Sequence, residues 1–164
     1  MDKKKLLELY DLYAEDVYRL ALSYLKIPAD AEDIVQNVFF KLAEKKIFIM
    51  PGKEKTYLMK MASNMCKNHL KSVVARYQDS YDEHSELQIQ QAQMQQADNS
   101  ALSEQTDVYE VLMGLAPKYR IVLYLYYYEG YSIKEIGKIL QLTSSAVSMR
   151  MSRGREQMKH VLEN

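Results

Sequence analysis

Residues 132–155 read SIKEIGKILQLTSSAVSMRMSRGR and carry the clearest structural signal in the chain. Ser132 followed three residues later by Glu135 is a capping-box pattern, which predicts that a helix starts there and runs over residues 133–140. The next two residues turn the chain, and Thr143 can cap a second helix because its hydroxyl accepts a hydrogen bond from a backbone amide. This order of helix, tight turn and helix predicts a helix-turn-helix.

The second of these helices presents short polar side chains and cations on its outer surface. Val147 and Met151 fall on its inward face, whereas Arg155 and Lys159 extend its positive charge toward the C-terminus. Short side chains let a helix approach base edges, and arginine binds phosphate or guanine through two parallel hydrogen bonds. On spacing alone, a solvated helical hairpin with a basic end remains the alternative. The candidate contacts to duplex DNA, which we call the recognition face, are Thr143, Ser144, Ser145, Ser148, Met149, Arg150, Ser152 and Arg153.

The residues immediately upstream extend this helical pattern. Residues 108–126 have apolar side chains at helical spacing that is interrupted at Pro117, so they predict two short helices. Glu129 and Gly130 then supply a helix stop. Residues 76–103 are polar, glutamine-rich and acidic, with too few apolar residues to hold a core, and they predict a linker.

Three further stretches of helical periodicity lie between residues 6 and 74. The first carries Leu9 and Leu12 on the face that we expect to meet a core. A turn around Pro28 precedes the second, and a break at residues 50–52 precedes the third. Because no segment alternates with a period of two, the chain is predicted to be all-α, with two small helical domains joined by a flexible linker.

Charge is distributed unevenly although the formal net charge is zero. The balance of lysine and arginine over aspartate and glutamate is +3 for residues 1–74, −7 for residues 75–110 and +4 for residues 111–164. An acidic connector between two basic parts suggests two modules that face polyanions.

The composition argues against a secreted protein and against an enzyme. Cys66 is the single cysteine, so it cannot form an internal disulfide, and a reducing cytoplasm fits best. No signal peptide or membrane anchor is visible. Cys66 and His69 are only two of the ligands that a zinc site needs, and the chain has no glycine-rich phosphate loop. We therefore predict no metal, no cofactor, no small-molecule substrate and no catalytic residue.

The third stretch of periodicity carries cations and amides on one side. Lys60, Asn64, Lys67 and Lys71 follow each other at spacings of four, three and four, with Asn68 beside them. We call these five residues the cationic stripe. Such a stripe can hold a sugar-phosphate strand while an amide bonds a base edge, and an ordinary solvated face is the alternative.

The second stretch offers a different kind of surface. Asp33, Gln36, Asn37 and Phe40 follow each other at spacings of three, one and three, which places them on one helix face, and a patch of acid and amide groups beside an exposed phenylalanine can dock a protein. We call these four residues the docking patch. Acids near a helix start also stabilise the helix dipole, so a structural role is the alternative.

Three segments together resemble regions 2 and 4 of the extracytoplasmic-function (ECF) sigma factors, which belong to the sigma-70 family. They are DAEDIVQNVFFKL (residues 30–42), YLMKMASNMCKNHLKS (residues 57–72) and LAPKYRIVLYLYYYEGYSIKEIGKILQLTSSAVSMRMSRGR (residues 115–155). They occur in the family's order, and the resemblance covers nearly the whole chain outside the linker. It implies a region 2 bundle of three or four helices at residues 1–75, a linker at residues 76–103, and a region 4 helix-turn-helix at residues 104–164.

The resemblance implies a dissociable initiation subunit of bacterial RNA polymerase, in which catalysis belongs to the core enzyme. Region 2 would open the promoter's minus-ten element through the cationic stripe, with residues 53–57 helping strand separation. Region 4 would read the minus-thirty-five element through the recognition face. The docking patch would face the coiled coil of the polymerase's largest subunit. The implied partners are core RNA polymerase, promoter DNA and an anti-sigma factor, and the free protein is expected to be a monomer.

The chain departs from the family's pattern at three positions. Ser148 and Ser63 stand where many relatives carry a basic residue, which bears on promoter preference. Gly154 replaces a usual alanine, and we expect it to loosen its helix by about 1 kcal/mol.

Two other functions compete with the sigma factor hypothesis. The first is a stand-alone helix-turn-helix regulator that dimerises through its N-terminal half and binds paired half-sites. The second is a pure interaction module, such as an antagonist of a sigma factor, which would show no salt-sensitive promoter binding.

Overall fold

The computed structural model describes residues 1–45, 47–78 and 107–163. Within these ranges the secondary structure is helical and no strand occurs, which confirms the predicted all-α class. The predicted linker lies outside the described residues from residue 79 to its end at residue 103. The helices are α1 Lys3–Leu25, α2 Pro28–Glu44, α3 Glu54–Gln78, α4 Val108–Met113, α5 Pro117–Tyr127, α6 Ile133–Leu140 and α7 Ser144–Glu163.

The first three helices pack against each other into the N-terminal unit. Asp2 caps α1 by accepting a hydrogen bond from the backbone of Lys4, and α1 ends where Lys26 adopts a left-handed conformation with φ 67°. Apolar residues of all three helices form the core, including Leu9, Val17, Leu20, Ile34, Val38, Leu42, Leu58 and Met59.

Two details of this unit differ from the sequence prediction. Leu12 is 64% exposed, because it lies roughly 100° round the helix from the centre of the face formed by Leu9, Val17 and Leu20. The second helix starts at Pro28 itself. Proline suits the first helical position because its missing N–H would have no partner there and its φ is already helical.

The remaining helices form the C-terminal unit. The two short helices predicted on either side of the Pro117 break are confirmed as α4 and α5, and Asp107 caps α4 by accepting a hydrogen bond from the backbone of Tyr109 at 3.2 Å. Gly130 follows α5 with a φ of +73°, which agrees with the predicted helix stop. Helix α7 then packs across α5 and α6.

The N-terminal and C-terminal units also contact each other, which the sequence did not predict. Helix α5 packs on α1, and α6 packs on α3, so one hydrophobic core runs through both units. This packing brings the helix-turn-helix against the helix that carries the cationic stripe. In the part of the chain that the structure describes, none of the helices combines the length and apolar character needed to cross a membrane.

Candidate nucleic-acid and polymerase interfaces

The helix-turn-helix is held by hydrogen bonds between side chains and backbone amides. Ser132 Oγ accepts a hydrogen bond from the Glu135 amide at 3.1 Å, and the Ser132 amide donates to Glu135 Oε1 at 3.2 Å. Gln141 takes a left-handed conformation with φ 58° to turn the chain. Thr143 Oγ1 then accepts from the Ala146 amide at 3.1 Å and caps α7. The predicted capping box, turn and cap are therefore confirmed.

A glycine makes this turn possible. A Cβ added to Gly137 would lie only 2.6 Å from the carbonyl oxygen of Leu142 and 3.9 Å from Val147 Cγ2. Any side chain at this position would therefore press on the backbone of the turn. The close approach of α6 to the start of α7 requires glycine here.

The recognition face is open to solvent over most of its length. Val147 and Met151 are buried as expected, while Met149 is 55% exposed, and the face's hydroxyl residues and Arg153 are also exposed. Arg150 is the exception, since it is only half-exposed and interacts electrostatically with Lys67 of α3. Most of this face can therefore meet DNA directly, whereas Arg150 is turned toward the N-terminal unit.

Arg155 does not extend the recognition face. Its Nε donates to the hydroxyl of Tyr127 at 2.9 Å, and its guanidinium lies 5.5 Å from the centre of that ring. A cation held against an aromatic ring in this way fastens α7 to the end of α5.

The cationic stripe on α3 divides into an open part and a covered part. Asn68 and Lys71 are exposed, whereas Lys60, Asn64 and Lys67 are half-buried. Lys67 Nζ donates to the carbonyl oxygen of Leu140 at 3.1 Å, so the end of α6 meets the stripe at Lys67. Burial lowers the pKa of Lys67, and the neighbouring positive charges of Arg150 and Lys71 lower it further.

The residues just before the stripe also meet the C-terminal unit. Lys53 is exposed, but Lys55 Nζ lies 5.1 Å from the centre of the Tyr131 ring. The segment that the resemblance links to strand separation is thus partly engaged by the loop that precedes α6.

The docking patch lies on one face of α2. All four of its residues are exposed, and Phe40 is 68% exposed, while Ile34, Val38 and Leu42 bury the opposite face. The patch therefore combines one large apolar side chain with acid and amide groups on an open surface. The C-terminal unit does not cover this patch.

Two family models match the chain, and they do so in the order of the two units. The Sigma-70 region 2 model matches residues 9–77, and the Sigma-70 region 4 model matches residues 105–158. The chain is an ECF sigma factor of the sigma-70 family. It is similar to the ECF RNA polymerase sigma factor SigW of Bacillus subtilis, with 25% identity over 99% of this chain and 91% of that relative. It also resembles SigM of the same organism, with 28% identity over 93% and 91% of the two chains.

A solved structure supports the same fold. The sigma factor RpoE of Bartonella quintana, determined in complex with the anti-sigma factor NepR, matches with a TM-score of 0.71 and 19% identity. The match covers 98% of both chains, so it includes both sigma regions.

Two family positions have unexpected surroundings in this sigma factor. Ser63 is fully buried, and its Oγ lies 2.8 Å from the hydroxyl of Tyr24, so it does not lie on a nucleic-acid surface in this structure. Gly154 is buried where α7 crosses α5, and a Cβ there would lie 2.7 Å from Leu123 Cδ1. Helix α7 is continuous through Gly154, and the missing side chain permits the close crossing of α7 and α5.

The contacts between the two sigma regions include charged residues that sequence reasoning missed. Arg19 on α1 donates from Nε to Glu129 Oε1 at 2.9 Å, and the same oxygen accepts from the hydroxyl of Tyr124 at 2.8 Å. Arg120 on α5 is 1% exposed and reaches α1. The signal for Arg120 was a single cation within the apolar run RIVLYLYY, which starts at that residue.

The cysteine and histidine on α3 have different surroundings. Burial raises the pKa of the Cys66 thiol to about 12, and His69 Nε2 lies 3.5 Å from Asp30 Oδ2. Among the residues that the structure describes, no group of three histidine, cysteine or acidic side chains is arranged to hold a metal ion.

Proposed function

We propose that this sigma factor binds core RNA polymerase through the docking patch and directs transcription from promoters that it reads at two elements. The observation that carries the proposal is the presence of both sigma regions in family order, each with an exposed polar surface in the expected place. The recognition face would contact the duplex minus-thirty-five element. The cationic stripe would contact the strand that opens at the minus-ten element, after α6 has moved away.

The charge pattern supports these roles. Cations and hydroxyls bind phosphates without reading sequence, whereas base edges are read by side chains that enter the major groove. Ser148 and Arg153 lie exposed on the recognition face and are our candidates for sequence choice. Ser63 is not such a candidate, because its hydroxyl is bonded to Tyr24 in the core.

We further propose that the chain contributes no catalytic residue and that the core polymerase performs the chemistry. We infer a cytoplasmic location, because RNA polymerase works there. An anti-sigma factor is a proposed partner, since the solved sigma factor of similar fold was determined with one. We also propose that region 2 spans residues 1–75, the linker residues 76–103 and region 4 residues 104–164.

The test is run-off transcription with core polymerase on fragmented genomic DNA. The purified chain should bind core polymerase and produce discrete transcripts that core polymerase alone does not make. A chain that neither binds core polymerase nor yields any such transcript would contradict the proposal. Size-exclusion chromatography distinguishes the sigma factor from the competing stand-alone regulator, because the regulator should be a dimer while a sigma factor should be a monomer.

Two substitutions separate the proposed surfaces. Gln36→Ala should weaken binding to core polymerase, because Gln36 lies at the middle of the docking patch. Arg153→Ala should weaken promoter binding while leaving core binding intact. Glu8→Ala serves as a matched control, because Glu8 is exposed on α1 and belongs to neither surface. Equal loss of both activities in the two variants would contradict the assignment.

A further inference from the structure

The contact between the two sigma regions contains a buried guanidinium whose hydrogen-bond partners are backbone carbonyls. Arg120 Nε donates to Ser23 O at 2.6 Å, and its Nη2 donates to Tyr24 O at 2.6 Å. Its Nη1 donates to Leu115 O at 2.8 Å and to Met113 O at 3.2 Å. Within residues 1–45, 47–78 and 107–163, none of the ion pairs includes Arg120.

Three of these four carbonyls lie at the ends of helices, which explains why a cation is stable among them. Ser23 and Tyr24 belong to the last turn of α1, and Met113 is the last residue of α4. The last four carbonyls of a helix lack partners within the helix and carry its negative partial charge. Arg120 therefore joins the end of a region 2 helix to the end of a region 4 helix. Burial lowers its pKa to about 10, so the guanidinium stays charged at neutral pH.

Lys67 and Arg19 also make contacts between the regions, in addition to the contact of Lys55 with the Tyr131 ring. Lys67 of α3 donates to the carbonyl of Leu140, the last residue of α6, which repeats the pairing of a cation with a helix end. Arg19 of α1 pairs with Glu129, which follows α5. The contact with Lys67 bears directly on the proposed function, because Lys67 belongs to the cationic stripe.

We propose that Arg120 is a latch that holds the two regions closed in the free protein, and that the closed form masks Lys67 of the cationic stripe from nucleic acid. This inference rests on the proposed function, since it concerns access to the proposed minus-ten surface. The docking patch lies outside the closed contact. The closed chain can therefore present the docking patch to polymerase while α6 engages Lys67.

The charges at the closed contact also explain how it opens. Arg150 of α7 lies close enough to Lys67 of α3 to lower its pKa, and these like charges oppose closure. A DNA strand supplies phosphates to these cations, so it competes with the carbonyl of Leu140 for Lys67. The equilibrium between closed and open forms should therefore shift toward the open form when polymerase and promoter DNA are present.

A distance measurement on the full-length chain tests the latch. Glu8→Cys on α1 and Gln157→Cys on α7 place two labelling sites on exposed positions of different regions. The native Cys66 is fully buried and stays unlabelled in the folded protein. Spin labels at the two new cysteines should give one narrow distance distribution in the free protein. Addition of core polymerase and promoter fragments should shift that distribution to longer distances.

Substitutions then identify the residues responsible. Arg120→Lys cannot span all four carbonyls and should lengthen and broaden the distance distribution. Because Arg120 also bonds within region 4, circular dichroism checks that this variant is folded. If Arg120→Lys is not folded, Arg19→Gln is measured instead, because it breaks the contact between Arg19 and Glu129 and leaves the hydrogen bond from Tyr124 to Glu129 in place. Lys118→Arg, an exposed change on the same helix, is the control that should leave the distance unchanged.

The second readout is binding of a fluorescent random-sequence single-stranded oligonucleotide by the free chain. If the closed form is populated at about nine-tenths, opening in Arg120→Lys or Arg19→Gln should tighten this binding by up to about tenfold. A broad distance distribution in the free wild-type chain would overturn the latch. So would a narrow distribution that neither variant changes. A longer distance without tighter oligonucleotide binding would overturn the masking.

Failure of this inference is distinguishable from failure of the proposed function. An open free chain that still binds core polymerase and yields transcripts leaves the sigma factor role intact and removes the latch. A closed free chain that never binds core polymerase contradicts the proposed function, and the masking then has no nucleic-acid surface to act on.

Discussion

Replacing Gly137 by alanine should destabilise the protein, although alanine is normally the better helix residue. At an open helical site the change would stabilise by about 1 kcal/mol, because glycine loses more backbone freedom on folding. Here the new Cβ would stand 2.6 Å from Leu142 O. That oxygen belongs to a turn fixed by the hydrogen bond from the Leu142 amide to Gly137 O at 2.9 Å and by the left-handed Gln141. The backbone must therefore shift.

The expected size follows from these opposing effects. Overpacking a rigid site costs about 1–3 kcal/mol, and contact with a fixed backbone atom belongs in the upper part of that range. After the helix-propensity gain is subtracted, Gly137→Ala should lower the free energy of unfolding by about 1–2 kcal/mol. Urea unfolding followed by circular dichroism measures it as a lower midpoint at an unchanged m-value. The neighbouring exposed change Lys138→Ala should stay within about 0.5 kcal/mol. A stabilised Gly137→Ala protein would refute the close approach.

Three other predictions concern buried groups and a helix cap. Cys66 should react with iodoacetamide far more slowly in the folded protein than in urea. Folding raises the pKa of Cys66 from near 9 to about 12, so the free energy of unfolding should fall as pH rises through that interval, and unfolding titrations should show a flatter fall for Cys66→Ala. Tyr24→Phe should cost about 1–3 kcal/mol because it leaves the Ser63 hydroxyl buried without a partner, and adding Ser63→Ala should recover part of that cost in the same assay. Ser132→Ala should cost about 1 kcal/mol by removing the cap that bonds the Glu135 amide, and an equal midpoint in both proteins would contradict it.

The features predicted correctly from sequence are those that local chemistry determines. The capping box at Ser132, the cap at Thr143 and the helix stop at Gly130 depend on residues within a few positions of each other, and all three are present in the structure. The recognition face follows in the same way, because once α7 starts at a known residue its inward and outward positions are set by the helical repeat. Local signals therefore identified the helix-turn-helix and most of its exposed surface.

The features that sequence reasoning missed depend on which elements meet in space. Ser63 shows no sign in the sequence of its bond to Tyr24, which lies 39 residues away. Arg120 contacts carbonyls 96 and 97 residues away, and no periodicity encodes that pairing. Leu12 looked like a core residue because its spacing from Leu9 is helical, but the packing of α2 and α3 selects a narrower face. Tertiary contacts, not local propensity, decide each of these positions.

The cations on α3 show why a charge pattern alone cannot assign a single role. A helix C-terminus and a phosphate both offer negatively charged oxygen to an ammonium group, so Lys67 can serve the closed contact or the nucleic acid. Substituting Lys67 would therefore open the protein and weaken DNA binding at once, and the two effects would partly cancel. Asn68 and Lys71 are exposed, so their substitution should report on nucleic-acid contact more directly. A mutational test of the cationic stripe should therefore begin with Asn68 and Lys71 and turn to Lys67 afterwards.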